Sequence, residues 1–257
     1  MAAVATLLHS RSGLTSLRRS FQRGGPRLLP CRSTAQLELT LSNRFIEAVL
    51  LSPADVAVAE LRAFRALFPA IPLVAWGAFR PDDGELLASW QREGVALVLV
   101  DGVDDGVAGD LVRRASLTAL RRELLADAPR VLRLTHPLQH QTWELLLERA
   151  DHPARTAELA AALSVSREHL SRQFGAGGAP NLKRVIDLIR VAGAAQLLAN
   201  PGLDLAAVVR ILNFASPSHL ERTVRRITGL PARDLGGLGV RGVLGAFARG
   251  KTRSRRG

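Results

Sequence analysis

Two segments of the chain, 50 residues apart, carry the same pattern of residues. Segments 166–174 and 216–224 each begin with a serine, and His, Leu and Arg follow it at offsets of three, four and six residues. Serine is a favoured residue at the N-terminal cap of a helix. A short apolar stretch of helical periodicity precedes each segment, at 156–163 and at 205–212. The sequence therefore predicts two successive pairs of helices, each pair joined by a tight turn.

Such a pair is the helix-turn-helix arrangement, in which the first helix packs and the second presents its N-terminal residues to a DNA groove. The i, i+4 spacing turns Leu170 and Phe174 inward in the first pair, and Leu220 and Val224 inward in the second. The remaining positions at the start of each second helix face outward. Pro217 suits the first position of a helix because that position needs no backbone N–H.

Three stretches of this region occur in the order and spacing of a known family. They read ELAAALSVSREHLSRQF, then a helix containing LIRVAGAAQLL, then DLAAVVRILNFASPSHLERTVRRITGLPARDL. Residues 155–235 thereby resemble the C-terminal DNA-binding domain of AraC-type transcription regulators. The glycine usual in each interhelical turn is replaced by Ser164 and Asn213. Because Asn adopts left-handed backbone angles more readily than Ser, we expect the first turn to be the more strained one.

The resemblance implies which residues contact DNA. Arg172 and Arg222, at matched offsets, are the candidates for two-pronged hydrogen bonds to guanine. The phosphate-contact candidates are Arg184, Arg225 and Arg226, for which a solvated charge is the alternative. The predicted DNA-binding set, His219 included although it also suits a packing role, is Arg167, Glu168, Ser171, Arg172, Pro217, Ser218, His219, Glu221 and Arg222.

The helix predicted over residues 183–199 is apolar on two sides, so we expect it to bridge both helix pairs. Its 17 residues span about 26 Å at 1.5 Å per residue. Successive major-groove openings on one face of a duplex lie about 34 Å apart. A bridge of this length is compatible with two recognition helices held about one helical turn apart.

Residues 1–125 alternate short apolar runs with longer amphipathic ones, which predicts a doubly wound α/β domain with a parallel sheet. The runs at 48–51, 73–76 and 96–100 are nearly continuously apolar, which is typical of central strands covered on both faces. The other two expected strands are residues 4–8 and 27–30. Helices are expected at 13–21, 56–68, 84–93 and 110–125.

This half resembles the receiver domain of two-component response regulators, on its order of elements and on the segments AVLLSPADV and FPAIPLVAWGAF. The positions that the resemblance makes functional do not match. Where a receiver has its phosphorylated Asp, after the third strand, this chain has Leu51-Ser52. The acidic pair after the first strand is replaced by His9-Ser10. The Thr or Ser after the fourth strand is replaced by Trp76-Gly77, and the Lys after the fifth by Asp101-Gly102. Because a hard cation needs several converging oxygen ligands, we predict a pseudo-receiver with no metal, no cofactor and no phosphoryl transfer.

Two connecting segments complete the predicted organisation, in which the DNA-binding domain covers 152–235. Residues 126–151 are expected to form a linker, at 126–129, and a connecting helix at 138–149. Residues 236–257 contain six basic residues, seven glycines and no acidic residue, which predicts a flexible basic tail. The helical spacing of Val240, Val243, Leu244 and Phe247 leaves a membrane-surface helix as the alternative. Gly242 and Gly245 would weaken such a helix by about 1 kcal/mol each.

Charge is concentrated where the repeated pattern lies. Residues 1–125 hold 15 basic and 13 acidic residues, whereas residues 152–235 hold 11 and 6. A surface that binds phosphates has this distribution. The single cysteine, Cys31, excludes an internal disulfide, and no apolar run reaches the ~18–20 residues that span a bilayer.

A cytoplasmic location follows from these features. The alternative is a transit peptide at residues 1–32, which hold Arg and Ser without an acidic residue. The competing interpretation of the same residues is structural: they supply the first strand and the first helix of the α/β domain.

The leading hypothesis is a transcription regulator that binds double-stranded DNA sequence-specifically. Two others stay open: a DNA-associated protein without sequence preference, and a protein-interaction adaptor that acts through the pseudo-receiver. An enzyme is not expected, because no nucleophile, base and orienting partner occur together. Further candidate partners are a second copy of the chain, through the N-terminal domain, and RNA polymerase; no membrane partner is expected.

Overall fold

The computed structural model describes residues 3–21, 26–149 and 154–253, with side chains described as far as residue 250. The chain divides into two compact units. The first comprises Met1–Leu120 together with Asn200–Leu203, and the second comprises Arg121–Ala199 together with Asp204–Gly257. The first four residues after Arg149, which include the predicted start of the DNA-binding domain at residue 152, lie outside the described residues, as do residues 254–257.

A five-stranded parallel sheet forms the centre of the first unit, with the strand order β2-β1-β3-β4-β5. The order reverses between β1 and β3, as it does in doubly wound flavodoxin-like domains. The predicted receiver-like α/β fold is therefore confirmed, and each strand begins and ends within one residue of its expected position. The strands are β1 (Ala3–Leu7), β2 (Arg27–Cys31), β3 (Ala48–Leu51), β4 (Leu73–Gly77) and β5 (Val95–Val100).

Residues of β1, β3 and β4 are buried almost completely, because helices cover both faces of the sheet. Residues 3–21 thus form an inner strand and the first helix, as the structural interpretation predicted. The helices of this unit are α1 (Arg11–Phe21), α2 (Thr34–Asn43), α3 (Val58–Leu67), α4 (Gly84–Arg92), α5 (Ala108–Arg114) and the first half of α6 (Leu117–Leu124).

The single helix predicted over residues 110–125 was wrong, because the chain breaks into α5 and α6. Ser116 lies at the break and is buried, and its hydroxyl oxygen accepts a hydrogen bond from the backbone N–H of Ala119 at 3.1 Å. This is the N-cap interaction that starts a new helix. No helix was predicted at α2, which begins at a similar cap: Ser33 Oγ accepts from the N–H of Gln36.

The second unit is helical throughout its described residues. Its helices after α6 are α7 (Ala128–Val131), α8 (Pro137–Glu148), α9 (Thr156–Ala162), α10 (Arg167–Phe174), α11 (Leu182–Leu198), α12 (Leu205–Ile211), α13 (Pro217–Thr228) and α14 (Leu235–Arg253). No helix among the described residues is both long and apolar enough to cross a membrane.

The linker predicted at residues 126–129 was wrong. Leu125, Ala128 and Leu132 are fully buried, so this segment packs into the unit as the short helix α7. Pro129 does not terminate a helix here. It lies in the first turn of α7, where a missing backbone N–H leaves no hydrogen bond unmade.

The flexible tail predicted at residues 236–257 was also wrong as far as residue 253. That stretch is helix α14, interrupted at Gly239, where φ is +64°. Val243 and Phe247 are fully buried, and α14 is the main packing partner of α11. The membrane-surface alternative is wrong for the same reason, since the four apolar residues that suggested it face the protein interior.

Helix α11 is the central element of the second unit, with Val185 through Leu197 all buried. It was expected to bridge the two helix pairs on its two apolar sides. It contacts α12 and α13 of the second pair, but its most extensive contact is with α14, and α8 is a further neighbour. A close approach to α14 is possible because residue 236 is glycine: an added Cβ there would collide with the carbonyl group of Leu198.

Candidate nucleic-acid interface

The first helix pair consists of α9 and α10 with a short left-handed turn between them. Ser164 has a φ of +56°, and the backbone N–H of Val165 donates to the carbonyl oxygen of Ala160 at 3.0 Å. Ser166 caps α10, because its Oγ accepts from the N–H of His169 at 3.1 Å. Leu170 is fully buried. The turn, the cap and the inward residue are those that the sequence predicted.

The second pair, α12 and α13, repeats this geometry. Asn213 has a φ of +50°, and the N–H of Phe214 donates to the carbonyl oxygen of Val209 at 2.9 Å. Ser216 Oγ accepts from the N–H of His219 at 3.1 Å, with Pro217 at the first helical position. The two turns match at an offset of 49 residues, whereas the caps match at 50, so the second turn contains one extra residue, Ala215.

The outward faces of α10 and α13 are open to solvent. In α10, all four predicted base-contact residues, Arg167, Glu168, Ser171 and Arg172, are exposed. In α13, Pro217, Ser218 and Arg222 are exposed, whereas His219 and Glu221 are half-buried. Both helices therefore present a polar, partly cationic N-terminal half while their apolar residues are buried beneath it.

Glu221 is engaged within the protein. Its Oε1 accepts from Arg225 Nε at 2.6 Å, and its Oε2 accepts from the backbone N–H of Ala232 at 2.9 Å. The hydrogen bond from Arg225, followed by that from Ala232, lowers the pKa of Glu221 below its usual value. Glu221 thus ties α13 to the segment that leads into α14, and Arg225, a predicted phosphate contact, shares its guanidinium with this carboxylate.

A chain of charged groups joins α13 to α11. Arg226 Nη2 contacts Asp187 Oδ2 at 2.6 Å, and Asp187 is largely buried. Burial raises the pKa of Asp187 above its usual value, although the nearby Arg226 and Arg190 oppose the shift. Arg226 was predicted to contact phosphate. Half of its side chain is exposed, so Arg226 remains partly open to solvent while it anchors the helix.

Arg190 of α11 contacts the turn of the second helix pair. Its guanidinium carbon lies 3.8 Å from the centroid of the Phe214 ring. Its Nη2 donates to the carbonyl oxygens of Leu212 and Asn213, at 3.3 Å each. The first carbonyl belongs to the C-terminal cap of α12 and the second to the left-handed turn, so neither has a partner inside the helix. Arg190 therefore fixes the left-handed turn and the aromatic ring that follows it.

In the first pair, Gln139 acts at the C-terminal end of the second helix, α10. The residue is fully buried in α8, and its Nε2 donates to the carbonyl oxygens of Gln173, Phe174 and Ala176 at 2.8 to 3.3 Å. Its Oε1 accepts from the backbone N–H groups of Thr135 and His136. The C-terminal end of α10 is thereby pinned to α8, which orients its N-terminal half.

Two further predicted residues are turned toward the protein. Arg184 is half-buried, with its guanidinium carbon 5.0 Å from the centroid of Phe247 in α14. His219 packs edge-on against Phe214, with ring centroids 5.6 Å apart, and its Nδ1 is buried without a hydrogen-bond partner among the described residues. Packing against Phe214 is thus established for His219, whereas contact of either residue with DNA stays a prediction.

Sequence reasoning overlooked Gln139, Asp187 and Arg190. The last two carried a signal, because both are charged residues inside the otherwise apolar helix α11. Buried charges are rare unless they are paired, so their presence indicates a specific partner. Gln139 carried no comparable signal, since a single glutamine in an amphipathic helix is ordinarily solvent-exposed.

Comparison with known proteins identifies the region. The sequence profile of a family described as a helix-turn-helix domain matches residues 159–236, from Leu159 in α9 through α13 to the start of α14. No curated protein matches the chain in sequence. Among solved structures, full-length FixJ from B. japonicum is similar, with 15% sequence identity and a TM-score of 0.40, covering 89% of this chain and 98% of that one.

Proposed function

We propose that this chain, whose residues 159–236 form an AraC-type helix-turn-helix domain, is a transcription regulator that binds double-stranded DNA sequence-specifically. DNA binding and transcription regulation are what such a domain supports. The proposal adds that α10 and α13 both enter the major groove and that their side chains select the bases. The observation that carries it is the repeated geometry of the two pairs: the same left-handed turn, serine cap and exposed N-terminal half occur twice.

We assign a role to each side chain from its exposure and its hydrogen-bond partners within the protein. Arg172 and Arg222 are exposed and hydrogen-bond to guanine in two-pronged fashion. Arg167, Ser171 and Ser218 contribute further contacts to the same groove. Glu221 orients α13 through Arg225 and Ala232 and makes no direct base contact.

Affinity comes from phosphate contacts around these helices. Arg225 and Arg226 are each held by a carboxylate and keep an exposed edge, so they are preordered for phosphate oxygens that approach α13. Preordered arginines lose less side-chain freedom on binding than free ones. Helix α11 has 17 residues, a length of about 26 Å, and supports the proposal that the two recognition helices address adjacent turns of one duplex.

The wider role is a non-enzymatic, cytoplasmic regulator whose N-terminal domain receives a signal or forms a dimer, with RNA polymerase as a partner at promoters. Two alternative functions are compatible with the same fold. One is an adaptor that does not bind DNA, and the other is a DNA-associated protein without sequence preference. These alternatives make distinct predictions for the binding of the full-length protein to duplex DNA.

The test is selection of duplexes from a random-sequence pool, followed by measurement of Kd for a selected and a scrambled duplex at several salt concentrations. We expect the selected duplex to bind at least about 10³-fold more tightly at physiological salt. Equal affinity for both duplexes with a steep salt dependence would support binding through phosphates alone. No binding to any duplex would support the adaptor.

A further inference from the structure

A cavity of about 440 Å³ opens at the carboxyl ends of the sheet strands in the first unit. Residues at or just beyond the ends of four strands line it: Leu8 after β1, Ser52 after β3, Gly77 in β4 and Asp101 after β5. The first turn of α1 forms another wall. In doubly wound sheets, ligands bind at the carboxyl ends of the strands where the strand order reverses, which here is between β1 and β3. The volume suits a small molecule.

Polar groups converge on one corner of this cavity, beside Gly13. Trp76 lines the cavity and is 2% exposed, and its indole Nε1 has no hydrogen-bond partner among the described residues. A Cβ placed on Gly13 would lie 3.4 Å from Trp76 Nε1, 3.5 Å from Ser10 Oγ and 3.6 Å from Asp101 Oδ2. Because residue 13 has no side chain, this space is open to an atom from outside. A buried donor without a partner is unfavourable, so an acceptor there would be stabilised.

The charge of the cavity determines what fits. Three carboxylates line it, those of Asp55, Asp83 and Asp101, and no Lys or Arg does among the residues that the structure describes. His9 holds Asp55, through its backbone N–H at 2.8 Å and its Nδ1 at 3.0 Å, and the N–H of Arg80 donates to Asp83. Asp101 receives no such side-chain hydrogen bond within the described residues. These groups repel an anion and attract a cation.

Metal binding does not account for these carboxylates. No group of three or more His, Cys, Asp or Glu side chains in the described part of the chain is arranged to hold a metal ion. Apolar groups complete the lining, notably Phe79 and Leu86. A ligand with an apolar body and a positive charge therefore matches the cavity better than a bare ion does.

We propose that this cavity binds a small organic amine that carries an apolar group and a hydroxyl or carbonyl oxygen. The protonated amine pairs with Asp101, the oxygen accepts the Trp76 Nε1 hydrogen, and the apolar group contacts Phe79 and Leu86. The site is independent of the DNA-binding proposal, since all of its residues belong to the first unit.

The indole N–H resonances of the full-length ¹⁵N-labelled protein provide a direct measurement. The chain has three tryptophans, so Trp76 is assigned by the resonance lost in Trp76→Phe or, if that variant unfolds, by elimination with Trp90→Phe and Trp143→Phe. Three matched probes are titrated: 2-amino-1-phenylethanol, 1-phenylethanol and mandelate, which share a ring and a hydroxyl but are cationic, neutral and anionic. We expect the cation to shift the Trp76 resonance saturably and to leave Trp90 unshifted, a buried indole that does not line the cavity.

Variants locate the binding. Asp101→Asn should weaken binding of 2-amino-1-phenylethanol about tenfold, because it removes the charged partner of the amine. Asp82→Asn is the matched control, an exposed neighbouring acid outside the cavity lining, and should leave the Kd unchanged. Gly13→Ala should fill the polar corner and weaken binding while the thermal unfolding midpoint is preserved. The proposal is overturned by mandelate binding as tightly as the amine, by no saturable shift, or by equal effects of Asp101→Asn and Asp82→Asn.

Discussion

Ser164 and Asn213 occupy equivalent positions in the two interhelical turns, and both are forced into left-handed backbone angles. The left-handed region costs most L-residues about 1–2 kcal/mol, and Asn tolerates it better because its side chain bonds locally. The same turn geometry is thus built from two residues of unequal suitability. We therefore expect the first turn to carry the larger strain.

Ser164→Gly should therefore raise the free energy of unfolding by about 0.5–1 kcal/mol, the relieved strain being partly offset by the greater freedom of glycine in the unfolded chain. Asn213→Gly should raise the free energy of unfolding by a smaller amount. Urea unfolding measures both, with Ser171→Gly in the exposed middle of α10 as a control that should be destabilising. A larger gain at Asn213 than at Ser164 would contradict the assignment of strain.

Arg190→Leu should lower the free energy of unfolding by about 3 kcal/mol, because it leaves two helix-end carbonyls without a donor and removes a cation beside the buried Asp187. The free energy of unfolding of Arg190→Lys should lie between those of Arg190→Leu and the wild type, since an ammonium keeps the charge but not the planar contact with Phe214. Arg233→Leu, at a side chain that is 82% exposed, is the control. A loss no larger than that of the control would show that Arg190 does not support the turn.

At the scale of elements, periodicity identified which face of a segment is apolar but not what covers that face. The strands were located to within a residue from their own apolar runs, but their places in the sheet were not. The run at 96–100, expected to be a central strand, forms the edge strand β5, whereas 4–8 forms the inner strand β1. The apolar spacing in 236–257 was noticed as well, yet its partner is α11, more than 40 residues earlier, and the glycines favoured a flexible tail. The caps Ser166 and Ser216 were predictable from local sequence, whereas Gln139 and Arg190 act on carbonyls over 20 residues away.

The packed state of α14 predicts that Phe247→Ala will lower the free energy of unfolding by about 3–5 kcal/mol, since the ring is fully buried. Arg241→Ala, an exposed position on the same helix, should change it by less than about 0.5 kcal/mol. Chemical denaturation of the full-length variants measures both. If this segment were a mobile basic arm, Phe247→Ala and Arg241→Ala would both change the free energy of unfolding by equally small amounts. Deletion of residues 240–257 should likewise destabilise the second unit.

At the scale of the whole molecule, the chain combines a receiver-like domain with a DNA-binding domain, but its strand ends carry different chemistry from a receiver. The position at which a receiver takes up phosphate holds Leu51-Ser52, and the neighbouring carboxylates are not grouped as a metal site within the described residues. We therefore expect no phosphoryl transfer to this domain.

Full-length protein treated with acetyl phosphate and Mg²⁺ should accordingly show no acid-labile phosphoryl adduct by intact-mass spectrometry. Ser52 carries a hydroxyl at the position where a receiver has its acceptor, so Ser52→Ala distinguishes an acid-stable serine ester from background modification. A stoichiometric, acid-labile adduct would mean that another carboxylate serves as acceptor and that the pseudo-receiver interpretation is incorrect.

The central claim is that two recognition helices of one chain contact bases in two adjacent segments of the major groove. It is tested most directly by the base preferences of Arg172→Ala and Arg222→Ala, each determined on every single-base variant of the selected duplex. Arg130→Ala, an exposed arginine on α7, is the control and should bind as the wild type does.

Each recognition-helix variant should lose about 1–3 kcal/mol on the selected duplex and lose discrimination at one or two base pairs only. The two affected positions should differ and lie about one helical turn, roughly 10 base pairs, apart. If both variants discriminate bases as the wild type does, or if both relax the same base pair, the two helices do not contact DNA in the way proposed.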